Sequence, residues 1–173
     1  VGTSEVLLTT LDAEGKRAVR NQETNMGNFC ADAYRNIGGA DIGIVQGGGV
    51  RADIKAGDVT YGDIIALHPW GNMCGVIEAT GQQVLDALEL GATNIPDEVA
   101  GFLQVSGISY EIDTTVPSTV VIDENKMFVK VAGARRVVNV KVGGVPIDPK
   151  KTYTVASTTY ILTQQGDGFT MFD

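Results

Sequence analysis

The chain has 173 residues, a formal net charge of −8 and one histidine, with 43% hydrophobic and 20% charged residues. This size and composition predict one globular domain. The negative charge argues against binding of nucleic-acid polymers, and one histidine excludes a metal centre built on several imidazoles.

The sequence contains no sign of a membrane span or a targeting signal. Its apolar stretches are only a few residues long, too short to cross a bilayer. Residues 1–5 lack the charged region, apolar core and cleavage site of a signal peptide. Because the chain begins with Val1 and not with Met, we expect a processed product or a fragment of a longer protein.

Two short strands are predicted in the first quarter of the chain. Residues 5–10 favour β-structure and predict a strand that ends at a turn over 12–15. Residues 40–45 are apolar and rich in Ile and Val, which predicts a buried strand. This second strand leads directly into a glycine-rich loop.

An amphipathic helix is predicted between these strands, over residues 25–37. Apolar Phe29, Ala33 and Ile37 recur every four residues, with Cys30 and Tyr34 beside them, and predict its apolar face. The Gly38-Gly39 pair that follows is typical of a helix C-terminus.

The middle of the chain predicts two helices around an extended segment. Residues 61–67 predict a short helix closed by Pro69, and residues 73–78 are extended. Thr80-Gly81-Gln82-Gln83 has the form of a capping box and opens a second helix. The apolar face of that helix comprises Val84, Leu85, Ala87 and Leu88.

The remainder of the chain predicts β-structure. The β-type segments are 102–113, 127–131, 136–142 and 152–157, with Gly143-Gly144 as a hairpin turn and 114–125 as a surface loop. We therefore predict an α+β fold, a single layered domain of mixed β-sheet with packed helices over residues 1–173.

The glycine-rich loop is the first segment with recognisable chemistry. Gly47-Gly48-Gly49 lets backbone amides approach a ligand without a Cβ, and Arg51 offers a planar fork for phosphate or carboxylate. The loop matches neither a Walker A sequence nor a G-x-G-x-x-G fingerprint. A tight turn at the end of a strand remains the alternative interpretation.

Other residues of interest each have a structural alternative. Asp167, between two glycines, suits ribose hydroxyls or a solvated turn, and Trp70, between Pro and Gly, suits base stacking or core packing. His68 has no metal-ligating neighbours, which favours a structural role. Cys30 and Cys74 are expected to be buried, inert thiols, and a disulfide between them is left open.

Six motifs occur in a fixed order from about Leu8 to Phe172. They are Glu23-Thr24-Asn25-Met26-Gly27-Asn28-Phe29, Gln46-Gly47-Gly48-Gly49-Val50-Arg51, Val59-Thr60-Tyr61-Gly62-Asp63, Pro69-Trp70-Gly71-Asn72, Phe102-Leu103-Gln104-Val105-Ser106-Gly107 and Gly166-Asp167-Gly168-Phe169. Together they resemble the C-terminal domain of the 5'-nucleotidase family. That family includes ecto-5'-nucleotidases, UDP-sugar hydrolases and bacterial 2',3'-cyclic-nucleotide 2'-phosphodiesterase/3'-nucleotidases.

The resemblance implies that substrate binding and catalysis belong to two different domains. A covalently linked N-terminal metallophosphoesterase domain would hold two divalent metal ions, and its D-x-H, G-N-H-D/E and G-H-x-H motifs do not occur here. This chain would bind the nucleoside end of a nucleotide, hold no cofactor or metal, contribute no catalytic residue and be inactive alone. Relatives are exported, which implies a location outside the cytoplasm, in the periplasm, in the cell wall or secreted.

The resemblance also implies the substrate-binding residues, which are Arg20, Gln46, Gly48, Gly49, Arg51, Trp70, Tyr160 and Asp167. Arg20 and Arg51 would contact the ribose and phosphate side of the ligand. Asp167 would accept hydrogen bonds from both ribose hydroxyls.

The base would be held by the remaining side chains. Gln46 stands where relatives have an Asn that touches the base, and Trp70 stands where they have a stacking Phe. Tyr160 is the candidate for the opposite aromatic wall. Gln165 stands where the family's last motif begins with Gly.

Two other functions are compatible with the same residues. One is a free-standing module that binds nucleotides or small anions without a catalytic partner. The other is a cell-surface domain in which the motifs are turns that determine the fold. The residues do not choose between 5'-nucleotides, nucleotide sugars and cyclic nucleotides as substrate.

Overall fold

A computed structural model describes all residues from Val1 to Asp173. The helices are α1 (Asn25–Gly38), α2 (Tyr61–Leu67), α3 (Gly81–Gly91) and α4 (Thr159–Leu162). The strands are β1 (Gly2–Ser4), β2 (Ile42–Gln46), β3 (Gly57–Val59), β4 (Cys74–Thr80), β5 (Leu103–Ser106), β6 (Ile108–Ile112), β7 (Val120–Ile122), β8 (Phe128–Val131), β9 (Val137–Val142), β10 (Val145–Pro146) and β11 (Thr152–Thr158).

A four-stranded mixed sheet organises the molecule. Its strand order is β4-β11-β2-β5, in which β11 and β2 are parallel and the other pairs are antiparallel. Strands β10, β9 and β6 form a second, antiparallel sheet, while β1 pairs with β3 and β7 with β8. The predicted α+β fold of mixed sheet and packed helices is confirmed.

Strand β2 lies at the centre, and both of its faces are buried. Ile42 and Ile44 join the larger hydrophobic core, which also contains the apolar residues of α3. Val45 points to a smaller core shared with α1. Gly43 lets α1 approach the strand, because a Cβ there would lie 2.3 Å from the Ala31 carbonyl oxygen.

Helix α1 begins and ends as predicted. The Thr24 hydroxyl accepts a hydrogen bond from the Gly27 amide at 3.1 Å and caps the N-terminus. The chain leaves the helix at Gly39, which has a φ of 59°.

The buried face of α1 differs in part from the predicted one. Met26, Cys30 and Ala31 are buried, whereas Phe29 is 43% and Ile37 is 77% exposed. A strict four-residue repeat drifts around a helix that has 3.6 residues per turn, so the Phe29 to Ile37 stripe leaves the sheet. The prediction was right for Cys30 and Tyr34, which pack in the smaller core, and wrong for Phe29 and Ile37.

The capping box at α3 is confirmed. The Thr80 hydroxyl accepts from the Gln83 amide at 3.3 Å, and Gln83 Oε1 accepts from the Thr80 amide at 2.8 Å. Val84, Ala87 and Leu88 are buried in the larger core, as the sequence predicted.

The predicted strand over residues 5–10 does not form. Leu8 makes one isolated pair with Ile54, and the backbone amides of Thr9 and Thr10 donate instead to Asn25 Oδ1 and Asp53 Oδ1, at 2.8 and 2.7 Å. Side-chain acceptors therefore replace the strand ladder. This segment is tied to the start of α1.

The second half of the chain follows the prediction with two differences. The expected β-segment over 102–113 splits into β5 and β6 at Gly107, whose φ is 75°. The expected loop over 114–125 contains β7, so that part of the prediction was wrong. The hairpin turn at Gly143-Gly144 is confirmed, with φ values of 57° and 82°.

None of the helices is both long and apolar enough to cross a membrane.

Candidate functional site

A cavity of about 330 Å³ opens at one edge of the central sheet. Gln46 is the last residue of β2, and α4 follows directly after β11. Because these two strands are parallel, their carboxyl ends meet at the same edge, where ligands bind in open α/β sheets. The lining residues are Arg20, Gln46, Gly48, Gly49, Arg51, Trp70, Asn72, Ala100, Tyr160 and Asp167.

All of the substrate-binding residues implied by the motifs line this one cavity. They come from distant parts of the sequence and include turns, strand ends and a short helix. Two lining residues were not predicted. Asn72 belongs to one of the quoted motifs without an assigned role, and Ala100 carries no chemical signal in the sequence.

The triple glycine forms a 3₁₀ turn that is pinned to the neighbouring chain. The Gly47 amide donates to the Phe102 carbonyl at 2.7 Å, and the Gly48 amide donates to the Ala100 carbonyl at 2.8 Å. These two amides are therefore not available to a ligand, contrary to the expectation from the sequence. A Cβ on Gly47 would lie 2.0 Å from the Val19 carbonyl oxygen, so this glycine serves close packing.

Two arginines form the cationic side of the cavity. The pKa of Arg20 is lowered by partial burial and by the positive charges of Arg17 and Arg51. Arg51 is exposed, and its guanidinium carbon lies 5.3 Å from the centre of the Trp70 ring. An anion bound between Arg20 and Arg51 would relieve their repulsion and accept charge-assisted hydrogen bonds from both.

The cavity also carries a tyrosine and a carboxylate in direct contact. Tyr160 Oη donates to Asp167 Oδ1 at 3.2 Å and accepts from the Asp167 amide at 3.3 Å. The Tyr160 ring packs on Gly166, where a Cβ would lie 2.3 Å from a ring carbon. Asp167 itself has a left-handed backbone, with a φ of 52°.

The surroundings of Asp167 affect its ionisation. Its side chain is accessible within the cavity, yet the nearby protein atoms remove enough water to raise its pKa. The hydrogen bond from Tyr160 and the charge of Arg20 act in the opposite direction. The pKa of Tyr160 is raised by partial burial and by the charge of Asp167.

The cavity also offers aromatic and amide groups for a planar ligand. Trp70 is 57% exposed, which excludes core packing as its main role. Gln46 is only 4% exposed, and its Oε1 is buried without a hydrogen-bond partner in the protein. Trp70 and Tyr160 can offer ring faces, and Gln46 can offer polar atoms to a base edge.

His68 and the cysteines lie outside this cavity. Burial lowers the pKa of His68, and its ring packs edge-on against Tyr34 with centroids 5.9 Å apart. Both cysteines are free thiols. Cys30 is buried, which raises its pKa to about 12, but Cys74 is exposed, so its predicted burial was wrong.

The residues of this chain do not fit a metal site. No group of three or more His, Cys, Asp or Glu side chains is placed to hold a metal ion. The family resemblance implies two divalent ions on a separate N-terminal domain, and not on this chain.

Comparison with known proteins gives a family match over the full chain. The family model for the 5'-nucleotidase C-terminal domain matches residues 1–173. The trifunctional nucleotide phosphoesterase protein YfkN of Bacillus subtilis is 35% identical over 99% of this chain, which covers 11% of YfkN. Protein UshA of Escherichia coli is 32% identical over 92% of this chain, which covers 25% of UshA.

Solved structures agree with the sequence comparison. A crystal structure of a 5'-nucleotidase precursor from Thermus thermophilus superposes with a TM-score of 0.81 and 33% identity. The match covers 99% of this chain and 31% of that protein. This chain thus spans a third or less of the length of these similar proteins.

Proposed function

The chain belongs to the 5'-nucleotidase C-terminal domain family, and from this premise we propose that it is the nucleotide-binding part of a phosphoesterase acting on nucleotide phosphate esters. The observation that carries the proposal is the meeting of all the motif-implied residues in one cavity. The cavity volume of about 330 Å³ lies within the range of small-molecule sites.

The phosphate side of the nucleotide is bound by Arg20 and Arg51. Both guanidiniums line the cavity, and the positive charge of Arg51 contributes to lowering the pKa of Arg20. A phosphate ester offers several acceptor oxygens to such planar donors. The surrounding chain is strongly acidic, so this local pair of cations favours a small anion over a nucleic-acid polymer.

The ribose is bound by Asp167. An ionised carboxylate is an acceptor only, and two ribose hydroxyls are two donors. The hydrogen bonds between Asp167 and Tyr160 fix the turn that presents this carboxylate. A ligand without ribose hydroxyls would leave a carboxylate acceptor unpaired, which is costly.

The base lies between Trp70 and Tyr160. Stacking on an aromatic ring contributes about 1–3 kcal/mol per base and tolerates different bases. The polar side chains of Gln46 and Asn72 line the same cavity and meet the edge of the base. This arrangement favours firm binding of nucleosides with weak discrimination between bases.

The chemical step belongs to a covalently linked N-terminal metallophosphoesterase domain. The similar proteins are at least three times longer than this chain, which leaves room for such a domain. The chain alone is then inactive, and its cavity delivers the phosphate to metal ions held by that second domain. We place the whole protein outside the cytoplasm, in line with the precursor form of the similar Thermus thermophilus protein.

Ligand titration tests the binding function directly. Trp70 is the sole tryptophan, so its fluorescence reports on the cavity without background. We expect AMP to bind more tightly than adenosine, and adenosine more tightly than 2'-deoxyadenosine. Arg51→Gln should weaken AMP but not adenosine, and Asp167→Asn should weaken both.

Matched controls use exposed charges outside the cavity. Lys150→Gln and Asp97→Asn remove the same charges and should leave all affinities unchanged. A chain that binds no nucleoside at millimolar concentration would contradict the proposal. Equal affinity for AMP and inorganic phosphate would instead identify a general anion-binding module.

The pH dependence of binding gives a second test of Asp167. Protonation removes an acceptor, so adenosine affinity should fall as the pH drops through the Asp167 pKa. Because that pKa is raised, the loss should begin at a higher pH than for an ordinary aspartate. Asp167→Asn should abolish this dependence, and a profile unchanged by the substitution would exclude the assigned role.

A further inference from the structure

The Gln104 side chain on β5 is buried and uses every polar atom. It is 2% exposed. Its Nε2 donates to the Val19 carbonyl at 3.0 Å and to the Gln22 carbonyl at 2.6 Å, while Oε1 accepts from the Thr24 amide at 3.1 Å. An amide is required for this pattern, because it combines two donors with an acceptor.

The backbone groups that Gln104 binds lie on both sides of Arg20 in the sequence, with Val19 before it and Gln22 and Thr24 after it. Residues 18–24 form neither helix nor strand, so the Arg20 backbone has no ladder of its own. The Arg20 carbonyl accepts from the Val99 amide at 3.0 Å, and Gly47 packs against the Val19 carbonyl. Gln104 is the side chain that joins both ends of this turn, at Val19 and at Thr24.

The same side chain connects two motifs whose roles were open. Gly27 belongs to the motif at the start of α1, and a Cβ there would lie 2.1 Å from Gln104 Oε1. The missing side chain of Gly27 thus makes the space in which the Gln104 amide lies. Thr24, which Gln104 holds by its backbone, is also the N-cap of α1.

Arg20 needs such an anchor because the charges around it pull in different directions. Arg17 and Arg51 repel it, Glu98 and Asp167 attract it, and partial burial removes some of its water. An unanchored turn would let the guanidinium move outward into solvent, away from Arg51.

We propose that Gln104 is a positioning residue that holds the Arg20 turn, so that the Arg20 guanidinium faces the phosphate end of the bound nucleotide. The phosphate part of this inference rests on the proposed function. The positioning part concerns the free protein and is tested without ligand.

The test compares Gln104→Met with the control Ser106→Ala. Methionine fills a similar volume without an amide, and Ser106 lies on the same face of β5 but bonds to Asp32 on α1. Gln104→Glu is a second variant, because a carboxylate keeps the size and cannot donate to two carbonyls. Amide hydrogen exchange of residues 18–24 and the affinities for AMP and adenosine are measured for each variant.

We expect the amides of residues 18–24 to exchange roughly tenfold faster in Gln104→Met, and not in Ser106→Ala. The dissociation constant for AMP should rise about 10- to 100-fold, as for the loss of one hydrogen bond to a charged group. The adenosine affinity should change less than about threefold, because adenosine has no phosphate for Arg20 to bind.

Two results would overturn the inference. One is exchange in residues 18–24 that is no faster in the Gln104 variants than in Ser106→Ala. The other is an equal loss of AMP and adenosine affinity, which would indicate a general structural defect. A wild-type chain that binds neither ligand would overturn the proposed function and the phosphate role, while the exchange comparison would still decide the positioning of the turn.

Discussion

Gly47→Ala separates the two interpretations of the triple glycine. The added Cβ would lie 2.0 Å from the Val19 carbonyl oxygen, about 1.4 Å short of ordinary contact at 3.4 Å. It would also lie 3.1 Å from the Arg20 Cα, so the backbone of Val19 and Arg20 must move. Movement by that amount breaks the hydrogen bond from Gln104 Nε2 to the Val19 carbonyl, which is 3.0 Å long.

The expected cost combines two terms. Overpacking of a tight core costs about 1–3 kcal/mol, and the lost buried hydrogen bond costs about 0.5–1.5 kcal/mol. We therefore expect Gly47→Ala to lower the free energy of unfolding by roughly 2–4 kcal/mol. For a chain of this size, the midpoint of thermal unfolding should fall by roughly 5–15 °C.

Denaturation followed by circular dichroism measures this effect, with Gly62→Ala as the matched control. A Cβ on Gly62 would meet only the Thr60 hydroxyl at 3.5 Å, and the residue lies in α2, so alanine should be neutral or stabilise by up to about 1 kcal/mol. A Gly47→Ala variant within about 0.5 kcal/mol of wild type would refute the packing argument. Weaker AMP binding at unchanged stability would instead indicate that the glycine loop acts on ligand binding and not on packing.

Three further predictions concern ionisable groups and backbone strain. A thiol reagent should label Cys74 but not Cys30 in the native protein at pH 8, because Cys30 is buried and its pKa is raised to about 12. Both thiols should be labelled in denaturant. Labelling of two thiols in the native protein would contradict this prediction. Burial raises the pKa of Glu89 in the folded protein above that of an ordinary carboxyl. The contribution of Glu89 to the free energy of unfolding is therefore complete below the ordinary carboxyl pKa, and it is lost as the pH rises through the raised pKa. Glu89→Gln should flatten the dependence of unfolding free energy on pH in that window, and an unchanged profile would exclude the explanation. Gln165 has a φ of 55°, a backbone conformation that favours glycine. Where this backbone strain exceeds the hydrogen bond from the Gln165 side chain to the C-terminal residue, Gln165→Gly should stabilise the protein by up to about 1 kcal/mol in urea titrations. Gln165→Ala removes that hydrogen bond alone and so separates the two effects.

The sequence predicted those elements whose signals are local. The capping box at Thr80 and the hairpin at Gly143-Gly144 formed as expected, because each depends on residues within a few positions. The strand over 5–10 failed, because Asp53 and Asn25 supply acceptors from far along the chain. Pattern analysis within one segment does not include such distant partners.

The predicted face of α1 failed in part, for a related reason. Phe29 and Ile37 are apolar, but the sheet contacts the adjacent stripe through Met26 and Cys30. Which stripe packs depends on the position of the helix over β2, where Gly43 allows close approach. The sequence predicted an amphipathic helix, and the packing chose its buried side.

The sequence by itself determined the family and the chemical types of the candidate site. The family resemblance of its ordered motifs implied two arginines, an acid between glycines and two aromatic residues, and all of them line one cavity. Only the tertiary structure decided what the glycines and Gln104 do. Gly27 and Gly47 leave space for atoms that lie far away in the sequence, and Gln104 bonds to backbone groups about 80 positions away. Close packing and buried hydrogen bonds between distant segments leave no local pattern, because they depend on which surfaces the fold brings together.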